Sequence, residues 1–510
     1  MRQLKVLKAG LYALLFLLSA YFIGVQFVWI LGFLLAYALF PLLKQLGEIN
    51  IVFATLISYL LLLAFNIITT GWLLETTYSN KGFLVFMANS IVMTLPFLVW
   101  YLGKHYLNYK IFHFIFIWLT FEYIHFHWSL SWPWLTFGHI FGAAPQVVQW
   151  YEFTGVLGGT VWLLIVGYVM YCYFNYSLKK YHILLLIAVI VFPLTISYLL
   201  YNKVDVQSSR QLRTSLVQTG FALNDSLLYS NFDRIKYLTG KFRNVIPKNT
   251  DYILLPEYVF SDSVSLSHIK NSMEVRLIQK YLIKYHSSNT RIILGLELYE
   301  VEKNKETSLT KYNSIIEVGT SGLKSIYVKN KYIPFQEITP YGFKFLNINS
   351  ENYSRATTSK NQFYNSTLNF NPILAICYES IYGYYLSSQV KPIPSAIYMF
   401  SNEAFLNNSV GVEQYFNISK LRAIELRKDI ARSSNMGCSA IIDSKGVIKR
   451  ISNNKNFEII NGVVNTNDSL TFYAKHGDYI GVFSFVILML LTIKSITFRV
   501  YSYQAAKQRQ

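Results

Sequence analysis

Ile373-Leu-Ala-Ile-Cys377-Tyr-Glu379 is the stretch on which the fold turns. Four apolar residues in a row read as a fully buried strand. The run ends on a thiol, followed by a tyrosine and a carboxylate. Two other segments share the form. Ile253-Leu-Leu-Pro-Glu257 ends an apolar run on a carboxylate. Tyr327-Val-Lys329 ends one on an ammonium, with Ile333-Pro-Phe-Gln-Glu337 just behind it. A strand that stops at a layer edge presents its last side chain to a cleft. A carboxylate, an ammonium and a thiol delivered to one cleft form a coherent set for covalent acyl chemistry. The carboxylate takes the thiol proton, the ammonium stabilises a developing oxyanion, and the sulfur attacks an acyl carbon.

Outward from these segments, short apolar runs alternate with helical patterns. Strands are expected at Thr214–Thr219, Tyr252–Leu255, Arg291–Leu298, Tyr312–Val318, Lys324–Val328, Ile373–Cys377, Ala396–Ser401 and Cys438–Ile442. Helices are expected near 227–243, 269–286 and 412–434. This alternation implies a layered α/β domain. The stretch 338–370, rich in Asn, Ser, Thr and Tyr, shows no pattern, and loops of that length are usually functional or mobile.

Charge separates this domain from the rest of the 510-residue chain. Only 14% of residues are charged, and residues 1–202 hold 9 Lys/Arg and 4 Asp/Glu. Residues 203–477 hold 33 and 22, an ordinary density for a folded domain. The division expected is 1–202 as a membrane domain, 203–477 as the α/β domain, 478–497 as a last span and 498–510 as a basic tail. A simple soluble enzyme, a disordered chain and, with 3 Cys, a disulfide scaffold are disfavoured. A net charge of +19 suggests nucleic acid in a soluble protein. Here lysines beside membrane spans account for part of it, and anionic membrane lipid rather than nucleic acid is the partner expected for the rest.

A span needs roughly 20 apolar residues. Spans are expected at 8–24, 26–43, 51–74, 83–103, 111–128, 158–177, 182–201 and 478–497, the first read as retained rather than as a cleaved signal peptide. With the N-terminus inside, the inner segments carry Lys44, Lys104, Lys110, Lys179, Lys180, Lys494 and Arg499, while the short outer loops before Lys203 carry only Lys81. By the positive-inside rule the α/β domain then lies outside and both termini inside. The loop from Ser129 to Gly155 is rich in Trp and Gly and reads either as an interfacial aromatic belt or as part of a lipid-access groove. His125 and His127 stand two apart on a predicted helix and face different ways, so no metal site is expected there.

The order Glu257, Lys329, Cys377, with its local contexts, resembles the carbon–nitrogen hydrolase (nitrilase) superfamily. Within it, the chain resembles the membrane-bound apolipoprotein N-acyltransferase family. Leu255-Pro-Glu257 matches the Glu segment, and Ile376-Cys-Tyr-Glu379 the nucleophile segment. Tyr327-x-Lys329 with Ile333-Pro-Phe-Gln-Glu337 is similar to the family's Tyr-x-Lys and Val-Pro-Phe-Gly-Glu. Ser401-Asn-Glu-Ala-Phe405 is similar to its Ser-Asn-Asp-Ala-Trp. Leu421-Arg-Ala-Ile-Glu-Leu426, Val217-Gln218 and Pro133-Trp134 fit weaker positions. The sequence departs from the family at Gln336, where a Gly is usual, and at Phe405-Leu406-Asn407, where Trp-Phe-Gly is usual.

The resemblance implies a multi-span α-helical membrane domain carrying an extracytoplasmic αββα sandwich. It implies Cys377 as nucleophile, Glu257 as general base, Lys329 as oxyanion stabiliser and Glu337 as a supporting carboxylate, with Tyr378 and Glu379 shaping the pocket. Candidate substrate contacts are Trp134, Asn402 and Phe405, and candidate lid residues are Tyr341, Phe343 and Phe345. The implied partners are a phospholipid acyl donor and a diacylated apolipoprotein acceptor, with no cofactor and no metal. The implied place is the bacterial inner membrane, with the catalytic domain on the periplasmic face. Two other readings remain at this level. One is a membrane-tethered amidase that uses the same triad with water as acceptor. The other is a non-catalytic scaffold or transporter, against which the spans are charge-poor, with Glu122 the one notable acid.

Overall fold

The computed structural model describes residues 2–76, 79–176, 179–203, 208–221, 230–301, 309–340, 353, 370–406, 408–453 and 456–507. The chain divides into two compact units. One comprises residues 1–128, 132–203 and 478–510, and the other 129–131 and 204–477.

The first unit is helical: α1 Arg2–Gly24, α2 Gly32–Leu46, α3 Ile51–Thr70, α4 Ser79–Leu107, α5 His113–His127, α6 Tyr151–Asn175, α7 Lys179–Lys203 and, from the C-terminal segment, α13 Tyr479–Lys507. Among the described residues, seven helices are long and apolar enough to cross a membrane, six of them before residue 204. The segment expected to span at 111–128 differs. Its helix α5 has 15 residues, a rise of about 22 Å against the roughly 30 Å of a hydrocarbon core. Trp128 leaves the helix in an extended conformation, and short 3-10 turns carry the chain on to α6.

Hydrogen bonds nevertheless show that α5 and the turns after it together run the length of their bundle. Lys104 near the end of α4 donates to the Gly47 carbonyl after α2 at 2.6 Å, and Lys44 reaches Asn175 at the end of α6 at 3.4 Å. Arg499 late in α13 donates to the Tyr106 carbonyl. The C-terminal ends of α2, α4, α6 and α13 therefore share one end of the unit, and it is a basic end. The chain leaves α4 there and returns there at the end of α6, so α5 and its turns must travel to the far end. There Ser197 of α7 accepts from the Gln149 amide at 2.7 Å, and Gly481 at the start of α13 lies against the Tyr123 ring. The acid in this bundle is satisfied in place. Glu122 accepts from Trp118 Nε1, the Phe137 amide and Thr160 Oγ1 at 3.0, 2.9 and 2.7 Å. A carboxylate held by three donors pins the turn at Phe137.

Among its described residues the second unit has twelve strands and five α-helices. The strands are β1 Arg210–Gln218, β2 Tyr252–Leu254, β3 Val264–Ser265, β4 Arg291–Val301, β5 Leu309–Gly319, β6 Gly322–Val328, β7 Ile373–Ile376, β8 Ile397–Asn402, β9 Ile430–Asn435, β10 Ala440–Ile442, β11 Ile448–Ile451 and β12 Glu458–Thr466. One sheet runs β12-β1-β2-β4-β5-β6, with β3 beside β4, and the other runs β11-β10-β9-β8-β7. In the larger sheet a parallel centre (β1-β2-β4) is flanked by antiparallel strands, and in the smaller the parallel set β7-β8-β9 forms one side and antiparallel β10 and β11 the other.

Three apolar clusters give the layering. Leu216, Leu254, Ile293, Ile376, Tyr398 and Ala431 form the core between the sheets. Helices α8 (Asn231–Phe242) and α9 (Met273–Tyr285) cover the outer face of the larger sheet through Leu238, Ile278 and Leu282. Helices α10 (Gly383–Ser387), α11 (Ser409–Leu426) and α12 (Phe472–His476) cover the smaller sheet through Leu386, Ala423 and Tyr473. The result is a four-layer α-β-β-α sandwich. Strands buried on both faces explain the unbroken apolar runs at 253–255 and 373–376.

The expected helix 412–434 is corrected. The helix stops at Leu426, Arg427 takes a left-handed cap at φ 49°, and Ile430–Asn435 is a fully buried strand. Its polar Arg432, Ser433, Ser434 and Asn435 disguised it, because each finds a partner inside. Ser433 Oγ, for example, donates to the Val217 and Leu254 carbonyls across the sandwich at 2.8 and 3.1 Å. The strands β3, β11 and β12 were likewise unexpected; β12 pairs β1 along its whole length.

One buried ion pair holds the turn that follows β7. Arg422 on α11 donates to the Ile381 carbonyl at 2.6 Å and pairs with Glu425 at 2.9 Å, both side chains being fully buried. Arg422→Ala removes the cation paired with the buried Glu425 carboxylate, which costs about 3–5 kcal/mol for such pairs. The thermal midpoint of the purified chain is therefore expected to fall by several degrees. An unchanged midpoint would show that the pair does not support this turn.

Candidate active site

Three strand ends and two loops converge on one buried cluster. Glu257 follows β2, Lys329 follows β6, and Cys377 follows β7. Lys329 Nζ lies 3.3 Å from Glu257 Oε1 and 2.7 Å from Glu337 Oε1. The Cys377 thiol lies close enough to Glu257 and Lys329 for their charges to act on it. Lys329 is 1%, Glu257 3%, Glu337 5% and Cys377 7% exposed, so the set is withdrawn from bulk water.

Local backbone geometry places each group. Gly295 on β4 lets the Glu257 segment pass. A Cβ there would stand 2.6 Å from Glu257 Cα and 2.9 Å from the Pro256 carbonyl, both unyielding backbone atoms. Tyr258, Phe335 and Cys377 take left-handed φ of 54°, 62° and 47°, each costing on the order of 1–2 kcal/mol for a residue with a Cβ. Strain of this kind, held by surrounding structure, concentrates at functional sites. The left-handed residue in the Pro-Phe-Gln-Glu turn is Phe335. Gln336 is not left-handed, so the Gly-to-Gln departure does not strain the backbone there.

Asn313 on β5, a residue that sequence reasoning missed, sits between the two carboxylates. Its Nδ2 donates to Glu257 Oε1 at 2.7 Å and approaches Glu337 Oε1 at 3.3 Å. The available signal was an amide inside the apolar strand Tyr312–Val318. Glu337 Oε2 also accepts from the Ile333 amide at 2.8 Å, so the turn is closed by the carboxylate it carries.

The electrostatics follow from burial. Burial raises the Glu257 carboxyl above its ordinary range, and neighbouring Glu337 adds to this, against the pull of Lys329. Lys329 pays the same burial penalty, but Glu257, Glu337 and Cys377 outweigh it and hold its ammonium well above the usual lysine value. Burial and then the Glu257 charge push the Cys377 thiol well up, with Lys329 opposing. The resting cluster is therefore a neutral thiol beside a cation flanked by two carboxyl groups.

Glu379 serves another purpose. Its Oε1 accepts from the Asn330 amide at 2.6 Å and the Lys331 amide at 3.3 Å. Its Oε2 accepts from the Ile376 amide at 2.8 Å and Tyr327 OH at 2.6 Å. One side chain thus ties the strand bearing Cys377 to the strand bearing Lys329. Burial raises its carboxyl to about 7 against these donors. Tyr378 OH donates to the Ser131 carbonyl at 2.9 Å, and Tyr382 OH to Ser131 Oγ at 2.8 Å, so Ser129–Ser131 pack with this unit.

The remaining candidates scatter. Asn402 is half-buried at the end of β8, where its Oδ1 accepts from Asn435 Nδ2 at 3.0 Å. Phe405 is half-buried in the following turn. Trp134 belongs to the helical unit, packed against Trp72 and Trp132. Tyr341, Phe343 and Phe345 lie outside the described residues. A second missed pair is Glu403 with Arg432, an ion pair buried next to β8 and completed by Ser401 and Ser434. No disulfide joins Cys377 to Cys438.

An α-β-β-α sandwich that gathers Glu, Lys and Cys from successive strand ends, on a chain with seven long apolar helices, is a nitrilase-like domain joined to a membrane domain. Residues 9–169 match the family model of the apolipoprotein N-acyltransferase N-terminal domain. The chain is 26% identical over 71% of its length to an apolipoprotein N-acyltransferase of Wigglesworthia glossinidia brevipalpis, of which it covers 72%. It is 24% identical over 83% of its length to one of Chlorobaculum tepidum, of which it covers 84%. Over most of its length the chain is thus a relative of the apolipoprotein N-acyltransferases, in keeping with its motifs. Among solved structures, a glutamine-dependent NAD+ synthetase of Acinetobacter baumannii overlays at a TM-score of 0.34 with 10% identity, over 51% of this chain and 48% of that one.

Glu379 offers a direct check. All four of its partners are donors, so a glutamine must turn its NH2 toward two of them. Glu379→Gln is expected to destabilise the chain by about 1–3 kcal/mol through unmatched buried donors. The thermal midpoint reads this, and an unchanged value would contradict the bonding described.

Proposed function

We propose that this protein transfers a fatty acyl chain from a phospholipid to the N-terminal α-amine of a diacylglyceryl-cysteine lipoprotein, through a thioester on Cys377. The observation that carries the reading is the buried cluster in which Glu257 and Glu337 flank Lys329, with the Cys377 thiol near enough to feel their charges. The names of the relatives supply the substrate class.

In the first half-reaction the sulfur bonds to an ester carbonyl carbon while its proton passes to Glu257. Lys329 stabilises the oxyanion. The tetrahedral intermediate collapses with cleavage of the carbon–oxygen ester bond, and Glu257 returns the proton to the departing oxygen, releasing lysophospholipid. In the second, the neutral amine attacks the thioester carbon and gives a proton to Glu257. Collapse breaks the carbon–sulfur bond, and the proton returns to sulfur. Charge and protons balance over both halves, and an amide formed from a thioester needs no external energy source. Glu337 and Asn313 fix Lys329 and Glu257, and Glu379 fixes the two strand ends.

The proposed placement follows from charge. The basic end of the helical unit, marked by Lys44, Lys104 and Arg499, faces the cytoplasm. α5 with its turns makes the fifth crossing, as the return of α6 to that end requires, and residues 203–477 stand on the periplasmic side of a bacterial inner membrane. Both substrates then keep their acyl chains in the bilayer, where removing one would cost about 0.8 kcal/mol per CH2.

Mass spectrometry of the chain incubated with phospholipid is expected to show a fatty acyl adduct on Cys377, discharged as an amide by a diacylated peptide amine. Free fatty acid as the product would indicate hydrolysis instead, and no adduct would refute the thioester. Since the base must be ionised and burial raises the Glu257 carboxyl, the acid limb of adduct formation is expected above pH 4.5. A limb at or below that value would remove Glu257 from the role.

A further inference from the structure

Between residues 341 and 369 one residue is described, Tyr353, and it is buried. Its backbone amide donates to the Glu337 carbonyl at 3.0 Å. Its hydroxyl accepts from Tyr258 OH at 2.9 Å and donates to Glu297 Oε2 at 2.7 Å. Its ring lies nearly parallel to that of Tyr332, centroids 6.1 Å apart. Glu297 is anchored in turn by Lys311 at 3.0 Å and by Ser263. Burial works against the Glu297 charge, but Ser263, Tyr353 and Lys311 hold its carboxyl below the ordinary range, so it is an ionised acceptor.

The partners of Tyr353 are the neighbours of the reacting groups. Tyr258 directly follows Glu257 and carries one of the strained left-handed φ angles. Glu337 is the nearer carboxylate of Lys329. Hydroxyl and amide of a single residue therefore join the segment of Glu257 to the segment of Glu337, with β4 as the fixed post through Glu297. We propose that Tyr353 is a positioning residue, which holds both carboxylates at the spacing from Lys329 that activation of the Cys377 thiol requires. This deepens the reading of Glu257, Lys329 and Cys377 as the reacting set. It also gives the unpatterned stretch 338–370 a defined attachment to that set.

The test is the pH dependence of Cys377 alkylation by iodoacetamide, read on the Cys377 peptide by mass spectrometry in the full-length chain. Tyr353→Phe keeps the ring stack and the amide bond and removes only the hydroxyl. It is expected to move the alkylation midpoint by roughly half a pH unit, about threefold in rate at fixed pH. Tyr258→Phe is expected to shift it the same way and by no more, and the double variant no further than Tyr353→Phe alone, because the bond from Tyr258 is one of the two that the Tyr353 hydroxyl makes. A residue that served stability alone would lower the thermal midpoint and leave the alkylation midpoint in place. Unmoved alkylation midpoints in both single variants, or additive shifts in the double, would overturn the proposal. If Tyr353→Phe does not fold, Tyr258→Phe decides by the same criterion. Alkylation needs neither phospholipid nor lipoprotein, so failure of the acyl-transfer reading would show in the adduct experiment and not here.

Discussion

The ammonium of Lys329 between the carboxylates of Glu257 and Glu337 is the interaction on which the second unit depends. Both carboxylates lie within 3.3 Å of the ammonium, almost out of reach of water. Burying such charges carries a penalty of several kcal/mol per ion, recovered only where geometry is tight and the remaining acceptors find donors. Much of the surrounding structure meets that condition. Asn313 and the Ile333 amide supply the donors, Gly295 permits the approach of Glu257, and Glu379 locks the strands that bear Lys329 and Cys377. Without Lys329, two carboxylates would confront each other in the core.

The same arrangement suits the proposed chemistry. Burial and the Glu257 charge keep the resting Cys377 thiol protonated, so it is protected from adventitious reaction. A base whose own affinity for protons is raised stands near it. In the proposed reaction, arrival of an ester lets sulfur attack and proton transfer proceed together, while the fixed ammonium meets the oxyanion without reorganisation. Left-handed backbone at Tyr258, Phe335 and Cys377 is the strain through which the loops deliver these groups.

The helical unit obeys the complementary rule. Several of its buried polar groups are satisfied by neighbours, as where Glu122 accepts from the Phe137 amide or Asn89 Nδ2 donates to Asn66 Oδ1 at 2.6 Å. α5 is too short to span by itself, and its unit compensates with 3-10 turns pinned by Glu122 and Thr160. The composition of the chain, poor in charge at one end and ordinary in the middle, is the average of these two materials.

Sequence alone determined the division into charge-poor spans and a polar α/β domain, because hydrocarbon and water sort side chains by composition. It also exposed Glu257, Lys329 and Cys377, because a doubly buried strand is an unbroken apolar run and a reactive side chain at its end stands out. Gln336 stands where the family usually has Gly, yet the left-handed turn falls on Phe335, which only backbone geometry reveals. Ile430–Asn435 resembled the end of a helix because its polar side chains face partners that are remote in sequence, Val217 and Leu254 among them. Asn313, Glu403 with Arg432, and Tyr353 were invisible for the same reason. A hydrogen bond between residues 56 positions apart, as between Asn313 and Glu257, leaves no periodicity in the chain. Only the closing of two sheets against each other decides which polar groups are buried together and what charge each can hold.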